Sequence, residues 1–490
     1  MRLHTMAAAI GLSLALAGCV SSGGLHPSGA LTDASSLKSE RSLNGIAVSP
    51  AAWPQQDWWT ALGDAQLSGL IDEALRDNPG LAAADARAQQ AQAAAGVADA
   101  ERGPTVNAGA SVAGARPPGA LFGGHSHFSW AKYGYASFNW GLDLWGGKRA
   151  AWEAALGQAR AAEIDRQAAR IELSTNVGRA YTQLGYAYAQ QDVAKAELER
   201  ANRARDLTRQ RASAGIDSQL QLKQSDTEVA TAEQQQAVAN RAIDAARSSL
   251  SVLLGKGPDR GLDITRPQVL KPVALAVPGN LSMDLIGHRA DLVAARWRVE
   301  AASKDIKVAK TEFLPNVSIG AMAGLLNMGG GNLFSLKNRF YELGPSLSLP
   351  IFDGGRLRAN LAGKDAQYDL AVAQYNETLV AATNQVADNY NALQSMQQQI
   401  DAQQRALDAA TEAWQLSEQR YKAGIGNYLE ALIVRQQLLQ AQQRMAALQS
   451  QQVDLSVQLI QALGGGYRPQ ADDAHEVAAA SSSSVSERSL

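Results

Sequence analysis

The spacing of apolar residues along this chain alternates between a helical and a strand-like period. A short amphipathic helix is predicted at 67–75, and a second helix from about Leu81 to Arg102. Apolar residues then alternate with polar or small ones from Val106 to Val112 and from Phe138 to Leu144, which predicts two strands. A very long helix is predicted after them, from about Lys148 to Ala212.

The second half of the chain repeats these features at offsets of 208 to 211 residues. Two more strands are predicted, from Val317 to Ala323 and from Leu343 to Ile351. In each half the long helix ends at the same turn, Arg-x-x-Ala-Gly-Ile, where glycine can adopt the left-handed conformation that ends a helix. The turn residues are Arg211, Ala214, Gly215 and Ile216, and Arg420, Ala423, Gly424 and Ile425. Return helices are predicted from about Ser218 to Leu254 and from Asn427 to Leu463, so each half is one copy of a duplicated module.

The long helix of the second half carries an uninterrupted heptad pattern. Its apolar residues, seven positions apart, are Val372, Leu379, Val386, Leu393, Ile400, Leu407, Trp414 and Tyr421. A strict seven-residue repeat predicts left-handed supercoiling against a neighbouring helix. The corresponding helix of the first half would span roughly 95 Å at 1.5 Å per residue, more than a globular domain needs.

The four predicted strands raise the question of how the sheet closes. No segment after the first 18 residues has 18 or more consecutive apolar residues, so a membrane-spanning form would have to be a closed β-barrel. The smallest membrane barrels have about eight strands, and one chain offers too few. The chain is therefore predicted to share a barrel with sister subunits, and either two or three copies would close it.

The N-terminus has the features of a secretory signal. Arg2 precedes an apolar run that ends in small residues before Cys19, the only cysteine in the sequence. This pattern resembles a bacterial lipoprotein signal, and the resemblance implies acylation of Cys19. Because Val20 and Ser21 follow rather than aspartate, it also implies sorting to the outer membrane.

Composition and motif order divide the chain into segments. The predicted segments are a signal peptide at 1–18, an acylated tether at 19–52, a first repeat at 53–256, a connecting strap at 257–280, a second repeat at 281–467 and a disordered tail at 468–490. The net charge of −2 gives no electrostatic reason to expect nucleic acid as a partner. No cofactor is predicted.

The ordered set of motifs resembles the outer membrane factor family, which comprises TolC- and OprM-like channels and lipoproteins of the NodT type. The set comprises the cysteine signal, an opening Leu-Gly-Asp motif at 62–64, paired Pro-x-Val strands, Gly-Gly-Lys/Arg helix starts and the two Ala-Gly-Ile turns. The resemblance implies a mainly α fold with a membrane β portion: a homotrimer with a 12-stranded β-barrel that continues into a 12-helix α-barrel of coiled-coil hairpins. It also implies an exit duct, anchored by lipid in the outer membrane and largely periplasmic. Its partners would be a periplasmic adaptor and an inner-membrane exporter.

The resemblance also assigns roles to the hairpin turns. The residues implied to dock the adaptor are Arg211, Ala214, Gly215, Ile216, Asp217, Ser218, Arg420, Ala423, Gly424, Ile425 and Asn427. Those implied to form the periplasmic gate are Gln221, Tyr421, Glu430, Ile433 and Arg435. Gln221 stands where an acid can accept a hydrogen bond from the tyrosine matched by Tyr421, so the same bond is expected here with less dependence on charge. Arg435 is a candidate for tuning ion preference.

Other functions are less well supported by the residues. An enzyme would need a catalytic or metal constellation, and His125 and His127 lack a third ligand in their glycine-rich loop. A type I protein-secretion channel and a scaffold lipoprotein without a pore remain open. The favoured function is an efflux duct for small drugs or toxic compounds. The hexapeptide from Glu430 to Arg435 resembles channels that pair with major-facilitator or fusaric-acid-type exporters.

Overall fold

The computed structural model describes residues 21–39, 41–43, 53–116, 128–273, 281–328 and 331–469. The predicted lipidation site Cys19 and the histidines His125 and His127 lie outside these ranges. The helices are α1 (Ala65–Asp77), α2 (Pro79–Ala100), α3 (Gly147–Ser213), α4 (Gln219–Leu253), α5 (Asp259–Leu262), α6 (Leu281–His288), α7 (Ala290–Thr311), α8 (Arg356–Lys422) and α9 (Tyr428–Ala462). The strands are β1 (Thr105–Ala115), β2 (Ser129–Leu142), β3 (Asn316–Met328) and β4 (Arg339–Ser348).

The chain forms two compact units. The first contains the described residues of Met1–Leu31, Arg87–Ala162 and Ala295–Asn376, and the second those of Thr32–Ala86, Glu163–Ala294 and Glu377–Leu490. The first unit therefore holds the sheet and the starts of the long helices α3 and α8. The second holds the remainder of both helices and the return helices α4 and α9. No helix in the described ranges is both long and apolar enough to cross a bilayer.

The four strands form one antiparallel sheet in the order β1-β2-β3-β4. Its register places the predicted apolar residues on one face, because Val106 pairs with Phe138, which pairs with Ala321, which pairs with Leu343. Within the protomer this apolar face is open to its surroundings: Val106 is 73% exposed and Leu343 is 76% exposed. The opposite face carries polar and small residues, among them Asn107, Ser137, Asn139, Ser318, Glu342 and Ser346. The apolar face of the sheet is thus not covered by the rest of the protomer, unlike the apolar face of a sheet that covers a soluble core.

Each strand pair, β1-β2 and β3-β4, is followed by an aspartate that caps the start of a long helix. Asp143 accepts hydrogen bonds from the backbone N–H groups of Lys148 and Arg149 at 3.0 and 2.8 Å. Asp353 accepts from those of Gly355 and Leu357 at 3.0 and 2.7 Å. These bonds satisfy donors at the helix start. The strands therefore end at Leu142 and Ser348, earlier than the predicted Leu144 and Ile351.

The second unit has its main core where α1 meets the hairpin helices. Asp64, of the Leu-Gly-Asp motif, is buried and caps α1 through the N–H of Gln66 at 2.8 Å. The same carboxylate accepts from the hydroxyl of Tyr181 at 2.7 Å and from the N–H of Gln268 at 2.9 Å. One buried acid therefore joins α1, the long helix α3 and the connecting strap.

The heptad residues of α8 are all at least partly buried. In the second unit, Leu379 and Val386 are 0% exposed, whereas Leu393, Ile400 and Leu407 are half-buried. This graded burial is what a coiled-coil face shows when one protomer covers it only in part.

The segment that follows Cys19 is ordered in the first unit. Asp369 on α8 accepts hydrogen bonds from the N–H of Ser28 at 2.9 Å, from its hydroxyl at 2.8 Å and from the N–H of Gly29 at 2.6 Å. The N–H of Gly29 and the hydrogen bonds of Ser28 together lower the pKa of the Asp369 carboxyl. The side chain of Asn376 also donates to the carbonyl of Ala30 at 2.9 Å. Sequence reasoning treated this stretch only as a tether and missed its contact with α8.

Candidate functional site

The two hairpin turns have the same backbone geometry. In the first, the N–H of Gly215 donates to the carbonyl of Ala212 at 3.1 Å, and that of Ile216 donates to Arg211 at 2.9 Å. In the second, the N–H groups of Gly424 and Ile425 make the corresponding bonds at 3.1 Å each. Both glycines have φ of 75°, and this paired pattern is the Schellman motif that closes a helix at glycine.

The return helices begin at side-chain caps. Ser218 and Gln221 form a reciprocal capping box, in which Gln221 Oε1 accepts from the N–H of Ser218 at 2.6 Å. Asn427 caps α9 through the N–H of Leu429 at 3.0 Å. This box engages the side-chain oxygen of Gln221, the predicted acceptor of the Tyr421 hydroxyl, within its own turn.

The predicted hydrogen bond from Tyr421 to Gln221 is wrong, because Tyr421 bonds to Asp217 instead. The Tyr421 hydroxyl donates to Asp217 Oδ2 at 3.1 Å, and Nε of Arg211 donates to the same oxygen at 3.0 Å. The side chain of Asp217 is 4% exposed, and the Arg211 guanidinium lies 5.0 Å from the centre of the Tyr421 ring. The hydrogen bond to Asp217 raises the pKa of Arg211. This contact therefore combines an ion pair within the first hairpin with a hydrogen bond from the second.

A second contact joins the hairpins further from the turns. The hydroxyl of Tyr428 on α9 donates to Glu228 Oε1 at 2.5 Å. The other oxygen of Glu228 accepts from Arg200 of α3 at 2.8 Å. Burial, supported by the bond to Glu228, raises the pKa of Tyr428, so its hydroxyl stays a hydrogen-bond donor.

A third contact is a buried ion pair between α3 and α9. Arg435 donates from Nε and Nη2 to Glu197 Oε2 at 2.7 and 2.5 Å. Arg435 is 8% exposed and Glu197 is 7% exposed. The other carboxylate oxygen of Glu197 accepts from Arg200, and the indole of Trp414 lies 5.6 Å from the Arg435 guanidinium. Arg435 is therefore inside the protomer, so it cannot present its charge to a lumen, and the suggestion that it tunes ion preference is not supported.

These three contacts share one pattern: an acid of the first hairpin accepts from a donor of the second. We call the set the inter-hairpin lock; its acids are Asp217, Glu228 and Glu197, and its donors are Tyr421, Tyr428 and Arg435. A cavity of about 530 Å³ borders the lock, with Trp414 and Leu207 in its lining. Near their turns the hairpins are thus held by these charged hydrogen bonds together with a small apolar cluster, in which Leu207 and Trp414 pack against Tyr421, Tyr428 and Ala431.

Other predicted site residues lie on the surface. Glu430 and Ile433 are both exposed and lie three residues apart on one face of α9. At the turns, Ala214, Arg420 and Ala423 are also exposed. The exposed large apolar residues in this region are Ile216 (64%), Leu220 (68%), Ile425 (73%), Leu429 (50%) and Ile433 (51%).

Sequence reasoning missed Glu197, Glu228 and Tyr428 as site residues. It placed Asp217 at the turn but not as the acceptor of Tyr421. The sequence held one signal for the role of Asp217. The equivalent position of the second turn is Gly426, so only the first turn has a carboxylate at this position. The acids on α3 and α4 gave no such signal, since isolated Glu residues are common on solvated helix faces.

A family model described as outer membrane efflux protein matches residues 70–256 and 281–465. The chain belongs to the outer membrane efflux protein family. The predicted family, and with it the efflux function and the outer membrane location, are confirmed by this match and by the relatives.

Two curated relatives show how far the family likeness extends. The fusaric acid resistance protein FusA of Burkholderia cepacia is 36% identical over 365 residues, covering 73% of this chain and 69% of that protein. The multidrug resistance outer membrane protein MdtP of Escherichia coli K12 is 30% identical over 436 residues, covering 86% and 89%. Both are outer-membrane or resistance proteins by name, and neither name denotes an enzyme.

A solved outer membrane protein has the same fold. The outer membrane protein VceC of Vibrio cholerae matches with a TM-score of 0.80 and 34% identity, covering 85% of this chain and all of that one. The prediction of a mainly α fold with a strand portion is confirmed. The trimer, the barrel and the lipid anchor remain predictions.

Proposed function

We propose that three copies of this chain form a closed duct in the outer membrane through which small toxic compounds leave the cell. The observation that carries the proposal is the two-faced sheet, with one exposed apolar face and one polar face. In lipid, an open sheet would leave the backbone groups of β1 and β4 without partners, at several kcal/mol each. Joining twelve strands from three protomers pairs these edges, turns the apolar faces to lipid and the polar faces to a water-filled interior.

The hairpin ends would form the periplasmic entrance and the adaptor-binding surface. The exposed apolar residues at the turns suit a protein partner, because such clusters are uncommon on free surfaces. Glu430 and Ile433 would line the entrance, and the inter-hairpin lock would hold it closed. An inner-membrane exporter would deliver substrate, and the names of FusA and MdtP favour small-molecule toxins and drugs over proteins.

The duct and its lock can be tested together in planar lipid bilayers. We expect the detergent-solubilised protein to give discrete conductance steps. Asp217→Asn should favour the open state at least roughly tenfold, because a hydrogen bond to a charged group contributes about 1.5–3 kcal/mol. The matched control is Asp206→Asn, which removes an exposed acid of α3 that pairs only at the surface.

The outcomes separate the duct from the lock. Absence of conductance from the unmodified protein contradicts the duct. Equal conductance of Asp217→Asn, Asp206→Asn and the unmodified protein would contradict the lock and leave the duct standing.

We also infer that Cys19 carries acyl chains that anchor the protein. Two or more chains are needed for stable anchoring, at about 0.8 kcal/mol per buried methylene. Cells grown with labelled palmitate should incorporate it into the unmodified chain and not into Cys19→Ala. Equal labelling of both would refute the anchor.

A further inference from the structure

The polar face of the sheet carries an unexpected row of aromatic rings. The ring centres of Tyr133 and Tyr135 are 4.9 Å apart, with 29° between their planes. Those of Tyr133 and Phe340 are 5.6 Å apart, with 15° between their planes. The register places Tyr133, Tyr135 and Phe340 on the polar face, because they alternate along their strands with the residues of the apolar face.

The row is built into the sheet by glycines. A Cβ atom on Gly109 would lie 2.7 Å from the Tyr135 ring, and one on Gly324 would lie 2.8 Å from the Phe340 ring. The rings therefore occupy space that only glycine leaves free. The Tyr133 hydroxyl is also in contact with Met322, at 3.1 Å from its Sδ. All three rings remain half-buried rather than buried, so part of each is open on this face.

A carboxylate lies beside the row. Glu342 is two residues from Phe340 on the same face of β4, and it pairs across the ladder with Met322. Its side chain is exposed, and we find no ion pair to it among the described residues. The two cationic residues within the four strands, Lys132 and Arg339, lie on the apolar face instead.

We propose that Tyr133, Tyr135, Phe340 and Glu342 form a weak binding platform for planar aromatic cations. A ring system would stack on the exposed aromatic surface, and its positive charge would be attracted both by the ring faces and by the carboxylate. The proposal rests on the proposed function, in which this face lines the duct. It adds planar aromatic cations as the class of compound that the duct wall binds. Weak binding suits a transit site, because a compound must be able to leave as well as enter.

The test measures binding without requiring conductance. The protein in lipid nanodiscs is titrated with 1-methylquinolinium by saturation-transfer NMR, against empty nanodiscs as the blank. Tetramethylammonium tests charge without a ring, and 1-naphthalenesulfonate tests a ring of opposite charge. We expect only 1-methylquinolinium to bind, and Tyr133→Leu and Glu342→Gln each to weaken it roughly three- to tenfold, as cation–π and charge contacts at partly exposed sites allow. The control Tyr341→Leu changes an aromatic residue of the apolar face and should leave binding unchanged.

The binding results test the platform independently of the duct. Equal binding by Tyr133→Leu, Glu342→Gln and the unmodified protein, or equal binding of tetramethylammonium, overturns the platform. Weaker 1-methylquinolinium binding in those two variants, with Tyr341→Leu unchanged, supports it. The bilayer recordings test the duct independently, so a channel without a platform and a platform without a channel give different pairs of results.

Discussion

Glu197→Leu should destabilise the contact between the hairpins by about 3–5 kcal/mol, because it leaves Arg435 buried without its carboxylate. The guanidinium of Arg435 is 9% exposed, so solvent can replace little of the lost interaction. Arg200 would lose one of its two acid partners at the same time. The measurement is hydrogen–deuterium exchange of α4 and α9 in nanodiscs, where opening should increase by at least roughly a hundredfold, since 1.4 kcal/mol corresponds to tenfold.

Two further variants distinguish loss of the ion pair from general damage to the hairpin by a leucine substitution. Glu199→Leu changes an exposed acid two residues away and should alter stability by less than about 0.5 kcal/mol. The double variant Glu197→Leu with Arg435→Met removes both charges and should recover most of the lost protection, because an apolar pair can replace a buried ion pair. If the double variant is as unprotected as Glu197→Leu alone, the stabilisation does not come from compensation of the buried charge.

Leu343→Arg should prevent most of the protein from reaching its assembled form in the outer membrane. Leu343 lies mid-strand on the exposed apolar face, paired with Ala321. An arginine on a lipid-facing strand position costs about 2–4 kcal/mol near the bilayer midplane, and a trimer would carry three of them. The measurement is the amount of detergent-resistant oligomer in the outer membrane fraction.

The matched variant for the sheet is Ser346→Arg, three residues away on the polar face. Ser346 pairs with Ser318, and their hydroxyls are 2.7 Å apart. Arginine there would point to water and should leave assembly largely intact. Similar losses from Leu343→Arg and Ser346→Arg would show that the apolar face does not meet lipid.

Local chemistry explains which parts of the fold the residue pattern predicted well. The return helices begin within one residue of Ser218 and Asn427, because an N-cap acts through its immediate neighbours. The turns at Gly215 and Gly424 follow from the left-handed conformation that glycine tolerates. The strand ends were missed because Asp143 and Asp353, which cap the next helices, were not considered as caps.

The sequence by itself determined the duplication, the helical hairpins and the alternation that makes a two-faced sheet, since each depends on spacing along the chain. Only the tertiary structure decided which acid meets which donor. Asp217 rather than Gln221 receives Tyr421, and Glu197 takes Arg435 out of solvent, because helix packing brings together residues more than 200 positions apart. The aromatic row likewise depends on the strand register, which places Phe340 beside Tyr133. Periodicity specifies which face a residue occupies, whereas the partner it meets there depends on how separate elements pack.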